Sequence, residues 1–317
     1  MSAHHWRNAG RARKCRFVAL AGGYHGETVG ALAVTDIAIF REAYAPLLRP
    51  AATVPSPDAR SALPGESAAD VARRCADALA GWLAEHHEET AALIVEPLVQ
   101  CAAGMVMYDA EYLRLARALC DRYDVHLVVD EIATGFGRTG TMFAHQQAGI
   151  QPDFICLSKG LTGGVLPLSA VLTTDAVYAA FYDDEVARGF LHSHSYTGNP
   201  LACRAALATL ELFESGDVIA RNLSLARDVN EVLAPLAQHP RIRHARRLGM
   251  IWAWDVADAP IGFARSYHRH ALAQGVLLRP IGATIYAMPP YAIDADAATC
   301  LARGAWAALD ATLAEAR

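Results

Sequence analysis

His126-Leu-Val-Val-Asp-Glu-Ile-Ala-Thr-Gly-Phe-Gly-Arg-Thr-Gly140, followed by Phe154-Ile-Cys-Leu-Ser-Lys-Gly160, decides the fold. Each segment opens with a short apolar run that reads as a buried strand. The first run ends in Asp130-Glu131, the second in Ser158-Lys159-Gly160. An acid and a lysine therefore each stand at the C-terminal end of a strand. Open α/β sheets place their ligands at that edge.

The flanking sequence supplies the rest of such a sheet. Cys15 to Ala21 reads as a strand running into the glycine-rich loop Gly22-Gly-Tyr-His-Gly26, and Ala92 to Val95 as a strand stopped by Pro97. Residues 49–68 read as a loop. Ala68 to Glu85 has apolar Val71, Cys75, Leu79 and Leu83 at helical intervals of four, and Ala110 to Tyr123 is a second amphipathic helix. Leu168 to Thr174 is a further strand, and Asn199-Pro200 opens an alanine-rich helix reaching about Glu214. Strands alternating with helices predict an α/β fold with a mostly parallel sheet. Ser215-Gly216-Asp217 marks a break. Beyond it a helix (218–236), a strand (Met250 to Val256), a helix (260–274), short strands near 276–288 and a last helix (294–314) predict a smaller α+β domain. The expected division is 1–215 and 216–317.

With 317 residues, 53% of them hydrophobic, the chain has ample material for a large core. A net charge of −5 gives no bulk attraction to nucleic acid or an anionic membrane. The basic run Arg11 to Arg16 is short and reads as a solvated end. No apolar run reaches the ~18 residues of a membrane helix, and the first residues lack the apolar core of a signal peptide. Seven scattered cysteines without a Cys-x-x-Cys pair fit a reducing cytoplasm rather than a disulfide framework or metal site.

Two residues carry the chemistry. A carboxylate after three apolar residues, as at Asp130, needs a partner. Lys159, flanked by Leu157 and by Gly160-Leu-Thr-Gly-Gly164, is expected to be half-buried and closely approached by backbone. Burial disfavours a lysine's charged form and makes its amine a competent nucleophile and base. A lysine for an imine and a carboxylate for a ring nitrogen are what pyridoxal 5'-phosphate (PLP) requires. Tyr24, in its glycine loop, could stack on a planar ring. Gly135 to Gly140 formally matches G-x-G-x-x-G but does not follow the strand directly, and no acid stands about twenty residues on, so a dinucleotide site is rejected. Glu96, Trp252 and Trp254 read as structural, and His86-His87 as a solvated helix end.

Gly23-Tyr-His-Gly-Glu-Thr28, Val95-Glu-Pro97, Val129 to Gly140, Leu157-Ser-Lys-Gly160 and Thr197-Gly-Asn-Pro-Leu-Ala-Cys203 together resemble the class III PLP-dependent aminotransferases, of fold-type I. Ile132-Ala-Thr134, Leu161-Thr-Gly-Gly164 and Arg279-Pro280 leading to Tyr286-Ala-Met-Pro-Pro-Tyr291 are similar to the diaminononanoate synthases of biotin biosynthesis within that class. The resemblance implies that Lys159 forms the imine, Asp130 pairs with the ring nitrogen and Tyr24 packs on the ring beside the substrate. It implies that Ser195, with His194 beside it, reaches the cofactor phosphate of a partner subunit in a homodimer. Ser193 would lie near substrate, Arg279 would bind the carboxylate of an oxo-acid substrate, and Tyr286 and Arg138 would add to substrate choice. The implied reaction takes an amino group from S-adenosylmethionine to 8-amino-7-oxononanoate. Another class III aminotransferase, with an ω-amine or ornithine-like donor, and an inactive remnant stay open as alternatives. Nothing before Arg16 matches the Gly-Ser turn that holds the phosphate in relatives, so the chain is expected to lack an N-terminal segment.

Overall fold

The computed structural model describes residues 1–315 of the chain. Eight strands build its first part: β1 (Arg16–Leu20), β2 (Ala52–Val54), β3 (Thr90–Val95), β4 (Val99–Gln100), β5 (Val106–Met107), β6 (His126–Asp130), β7 (Phe154–Leu157) and β8 (Ala170–Thr173). Six of them form the large sheet in the order β2-β1-β3-β6-β7-β8. The first five run parallel and β8 is antiparallel to β7. Parallel neighbours need long crossovers. The helix Ala68–His86 lies between β2 and β3, and Glu111–Arg122 between β5 and β6.

The spacing of four seen in the sequence is the buried stripe of the first helix: Val71, Cys75, Leu79 and Leu83 are all at most 2% exposed. They join Leu93, Val95, Leu127 and Val129 in one core. Full burial of side chains of this size contributes about 1.5–3 kcal/mol each. Register fixes the site. Asp130 sits opposite Cys156, three residues before Lys159, so both residues share the C-terminal edge of the sheet.

Three expectations change here. The stretch 49–68 contains β2, a three-residue edge strand too short to show periodicity. The basic run is not wholly solvated either. Lys14 is 1% exposed, its Nζ donates to His87 O at 2.7 Å, and it lies 4.9 Å from the centre of the Trp6 ring. Burial pulls its amine down to about 8. His87, read as solvated, is half-buried as part of the same contact.

The second part is a three-stranded antiparallel sheet of β9 (Ile242–Leu248), β10 (Ile251–Val256) and β11 (Thr284–Ala287), in the order β11-β10-β9. Helices Val218–Ala237, Phe263–Ala273 and Ala295–Glu315 pack with it around a second core. Strand alternation divides β10 between the two cores. Ile251 and Ala253 join the large core, whereas Trp252 and Trp254 join the small one. The tryptophans are therefore packing residues, as the sequence implied.

Polar clamps tie the two sheets together. Arg246 on β9 donates to Gly104 O (2.6 Å), Met105 O (2.8 Å) and Asp255 Oδ1 (3.0 Å), and Arg60 reaches Asp255 Oδ2 at 3.0 Å. Tyr291 Oη donates to Phe136 O at 2.8 Å. Between these contacts Gly249, at φ +55°, lies against bare backbone: a Cβ there would be 2.5 Å from Arg138 O. Among the described residues no helix is long and apolar enough to cross a membrane.

Candidate active site

Asp130 ends β6 with 6% exposure. Its Oδ1 accepts Ile132 N–H at 3.1 Å, and its Oδ2 lies 2.8 Å from His25 Nδ1. An ionised carboxylate only accepts, so that imidazole nitrogen carries a proton. The partner demanded by the sequence is thus His25, 105 residues earlier in the chain. In the sequence His25 stands out only as part of the glycine-rich loop Gly22 to Gly26. The available signal was that this loop follows a strand of the same sheet.

Glu96 leaves the end of β3 and is 5% exposed. Its Oε1 accepts Tyr24 N–H at 2.9 Å and its Oε2 accepts Cys101 N–H at 3.0 Å. Burial pushes this carboxyl up to about 7, although His25 and the two amides act in the opposite direction. Glu96 is structural, as read, and joins the Tyr24 loop to the turn at Cys101. The Tyr24 hydroxyl donates to Glu27 Oε1 at 2.9 Å, and its ring centre lies 5.0 Å from that of Phe40. Glu131, fully buried, accepts from the backbone N–H groups of Ala144 and His145 and from Thr134 Oγ1, and lies 2.9 Å from His145 Nδ1. It holds the glycine-rich segment after β6 in place.

Lys159 departs from expectation. It opens a short 3-10 turn, Lys159–Thr162, with φ +39°, and is exposed rather than half-buried. The turn carries its side chain into an open cleft instead of under the sheet edge. The close contact falls on the next residue and is with a side chain: a Cβ on Gly160 would lie 2.7 Å from the Phe136 ring. A φ of +39° is rare for a residue with a side chain and is often associated with functional sites.

Asp130 and Lys159 open on adjacent cavities, not on one. Asp130, His25 and His194 line an open groove of about 1780 Å³. Lys159, Arg138, Phe213 and Tyr291 line a cleft of about 820 Å³ walled by the loops after β6 and β7, the helices Pro200–Ser215 and Val218–Ala237, and the segment after β11. Ile132 borders both. The Cys101 thiol is pushed up to about 12, chiefly by burial and then by Glu96, and it also feels the charges of Lys159, Asp130 and Arg138.

The other site residues spread more widely. Arg138 donates to Pro289 O at 2.8 Å and lies 4.6 Å from the Tyr291 ring centre, so its guanidinium is engaged with the small sheet's side of the cleft. Ser193, His194 and Ser195 lie in an exposed segment without regular structure, and His194 Nδ1 accepts Tyr196 N–H at 3.1 Å. Arg279 is exposed, and among the described residues it has no ion-pair partner. Tyr286 is half-buried on β11 opposite Ala253. Tyr24, Ser193, Ser195, Arg279 and Tyr286 line neither cavity.

The sequence pattern of the class-III aminotransferases matches residues 1–304. The chain belongs to that family. This class-III aminotransferase is 44% identical over 297 residues to the adenosylmethionine-8-amino-7-oxononanoate aminotransferase of Helicobacter pylori, covering 92% of this chain and 66% of the relative. It is 41% identical to the protein of the same name from Anoxybacillus flavithermus, covering 91% of this chain and 65% of that one. The chain thus spans about two thirds of the length of these relatives. Its structure matches the crystal structure of the Methanocaldococcus jannaschii protein of that name with a TM-score of 0.87 and 31% identity, covering 98% of this chain and 71% of the other. It also matches the PLP-bound form of an amine transaminase from an uncultivated Pseudomonas species with a TM-score of 0.91 and 30% identity, over 98% of this chain and 73% of that one.

Proposed function

We propose that this class-III aminotransferase uses PLP to transfer an amino group from S-adenosylmethionine to 8-amino-7-oxononanoate, giving 7,8-diaminononanoate in biotin biosynthesis. The observation that carries the chemistry is the buried, doubly held Asp130 one strand away from Lys159. The donor set fits the ring end of PLP: a fixed carboxylate for a pyridinium nitrogen and a primary amine for the carbonyl carbon. The names of the 44% and 41% identical relatives support the substrates.

When bound, PLP supplies an electron-withdrawing ring that stabilises negative charge on the substrate carbon. Asp130 holds the proton on the ring nitrogen. Lys159 Nζ would anchor the cofactor and would carry the proton leaving the donor's carbon. Tyr24, placed by its N–H bond to Glu96, would pack on the ring. His194, Ser193 and Ser195 would serve the phosphate of a partner subunit's cofactor and the substrate, Arg279 and Tyr286 would bind the oxo-substrate, and Arg138, which lines the cleft, would add to substrate choice. The two cores support a large domain of 1–215 and a small one of 216–317. A homodimer in the cytoplasm completes the reading. It is supported by the exposed Leu191, Tyr196 and Leu201 beside the groove, and sedimentation equilibrium tests it.

The deciding assay supplies purified protein with PLP, 8-amino-7-oxononanoate and either S-adenosylmethionine or a panel of diamines, and detects diaminononanoate by mass spectrometry. Product with S-adenosylmethionine is expected. Turnover with diamines alone would move the assignment to the amine transaminases.

A further inference from the structure

We infer that Tyr291 is a positioning residue for Lys159: its hydroxyl holds Phe136, and the Phe136 ring holds the turn on which the lysine stands. The inference rests on the PLP reading for what Lys159 does, and extends it to a side chain acting at one remove. Tyr291 packs against the small core, whereas Phe136, 3% exposed, belongs to the large one. The Tyr291 hydroxyl joins them, donating to Phe136 O at 2.8 Å. Burial raises that hydroxyl above its ordinary range, with the Arg138 charge acting against it, so it keeps its proton and stays the donor. Two more bonds tie the same loop to the same side. Met250 N–H donates to Arg138 O at 2.9 Å, and Arg138 Nη1 donates to Pro289 O at 2.8 Å. Met250 leads into β10, and Pro289 and Tyr291 follow β11. The loop after β6 is therefore placed by the small sheet.

Phe136 passes this placement on. It lies so close to Gly160 that a Cβ there would be 2.7 Å from its ring and 2.8 Å from its own Cβ. Phe143, edge-on with ring centres 5.7 Å apart, and Phe213, at 6.2 Å, pack on the same ring. Both partners of the Gly160 contact sit beside strained backbone: Phe136 has φ +56° and Lys159 φ +39°. Such angles persist in residues with side chains only where the surroundings over-determine them. The Lys159 turn is closed by three bonds within itself, Leu161 N–H to Ser158 O, Gly163 N–H to Gly160 O and Gly164 N–H to Lys159 O. Those bonds fix its shape, and the Phe136 ring fixes where it rests. Because the lysine side chain is exposed, this turn sets where its amine starts from. Lys159, Phe136 and Tyr291 line one cleft, so the relay runs along a single wall.

The test compares Tyr291→Phe, which removes only the hydroxyl, and Phe136→Leu with the parent in the full chain. Cofactor-free protein is read first, by hydrogen exchange of the peptide spanning 158–165 over seconds. Tyr291→Phe is expected to speed that exchange about 2- to 10-fold, the range set by losing one neutral hydrogen bond. Peptides from β3 and the helix Ala68–His86 keep the parent's rate, which a general loss of stability would not allow. With PLP added, kcat falls roughly 10-fold, as a small misplacement of a reacting group permits, while KM changes little. The pH profile of the visible absorbance moves with it. Parent-like exchange across 158–165, a rise shared by all peptides, or a parent-like kcat would overturn the inference and leave the PLP reading standing. A parent that forms no visible absorbance with PLP would sink the PLP reading, and the exchange of 158–165 would still decide whether Tyr291 positions the turn. If Tyr291→Phe does not fold, Phe136→Leu decides. Faster exchange confined to 158–165 in that variant supports the relay, and parent-like exchange overturns it, because the relay has no route around the ring.

Discussion

Lys159 and Glu96 show how differently two charged residues at one sheet edge can be treated. Lys159 is exposed and held by backbone geometry, so its removal should cost little stability. Lys159→Ala is expected to unfold at the parent's temperature when cofactor-free, and to lose both the visible absorbance formed with PLP and all detectable transamination. Retained absorbance in that variant would remove Lys159 from the site. Gly160→Ala, by contrast, drives a methyl group into the Phe136 ring, and overpacking of this kind costs about 1–3 kcal/mol. Chemical denaturation reads it. Glu96 is governed by burial. Its folded carboxyl keeps a proton up to about 7, whereas its ordinary value is 4.5. Between those values the folded state binds more protons than the unfolded one, so stability falls as pH rises across that window. The contribution lost by about pH 8 is about 3 kcal/mol at most. Urea unfolding at about pH 5 and about pH 8 should show this decline in the parent and its absence in Glu96→Gln.

At the scale of elements, the helix Pro200–Ser215 depends on its first residue's neighbour. The Asn199 side chain accepts Leu201 N–H and Ala202 N–H, and proline follows where a missing donor does no harm. Asn199→Ala should cost about 1 kcal/mol, measured by thermal unfolding, with the helix retained. This helix was legible because cap, proline and alanine-rich body agree. The strands β1, β3, β6 and β7 were legible as apolar runs ending in turn residues. β9 was not. Its Arg-His-Ala-Arg-Arg centre carries no apolar alternation because it is an edge strand with one partner and much solvent. Asp130 announced its need for a partner through local burial, but the identity of His25 depends on which strands lie side by side, and no local pattern holds that information. Lys14 was misread for a related reason. Its carbonyl acceptor and its aromatic neighbour come from opposite ends of the fold's first hundred residues. The exposure of Lys159 follows from a left-handed backbone angle that the glycines after it suggested without locating.

At the scale of the molecule, the relation of the two sheets rests on few groups. Arg246 is largely buried and donates to three carbonyls, those of Gly104, Met105 and His244, and to the Asp255 carboxylate. Hydrogen bonds to charged groups contribute about 1.5–3 kcal/mol each. Asp255 keeps Arg60 and Thr284 as partners, so Arg246→Ala is expected to cost about 3 kcal/mol in equilibrium unfolding rather than more. Arg246→Lys should not restore it, because an ammonium cannot span those carbonyls and the carboxylate.

Gly249 sets a different kind of limit. At this point the two halves of the molecule are separated by the thickness of an unadorned peptide, and the backbone of Arg138 to Gly140 fills the place of a side chain. The joint therefore works like a hinge pin with no room for a washer. A single added methyl group would act as a shim, 2.5 Å from both Arg138 O and Thr139 C, and Arg138 also borders the cleft that holds Lys159.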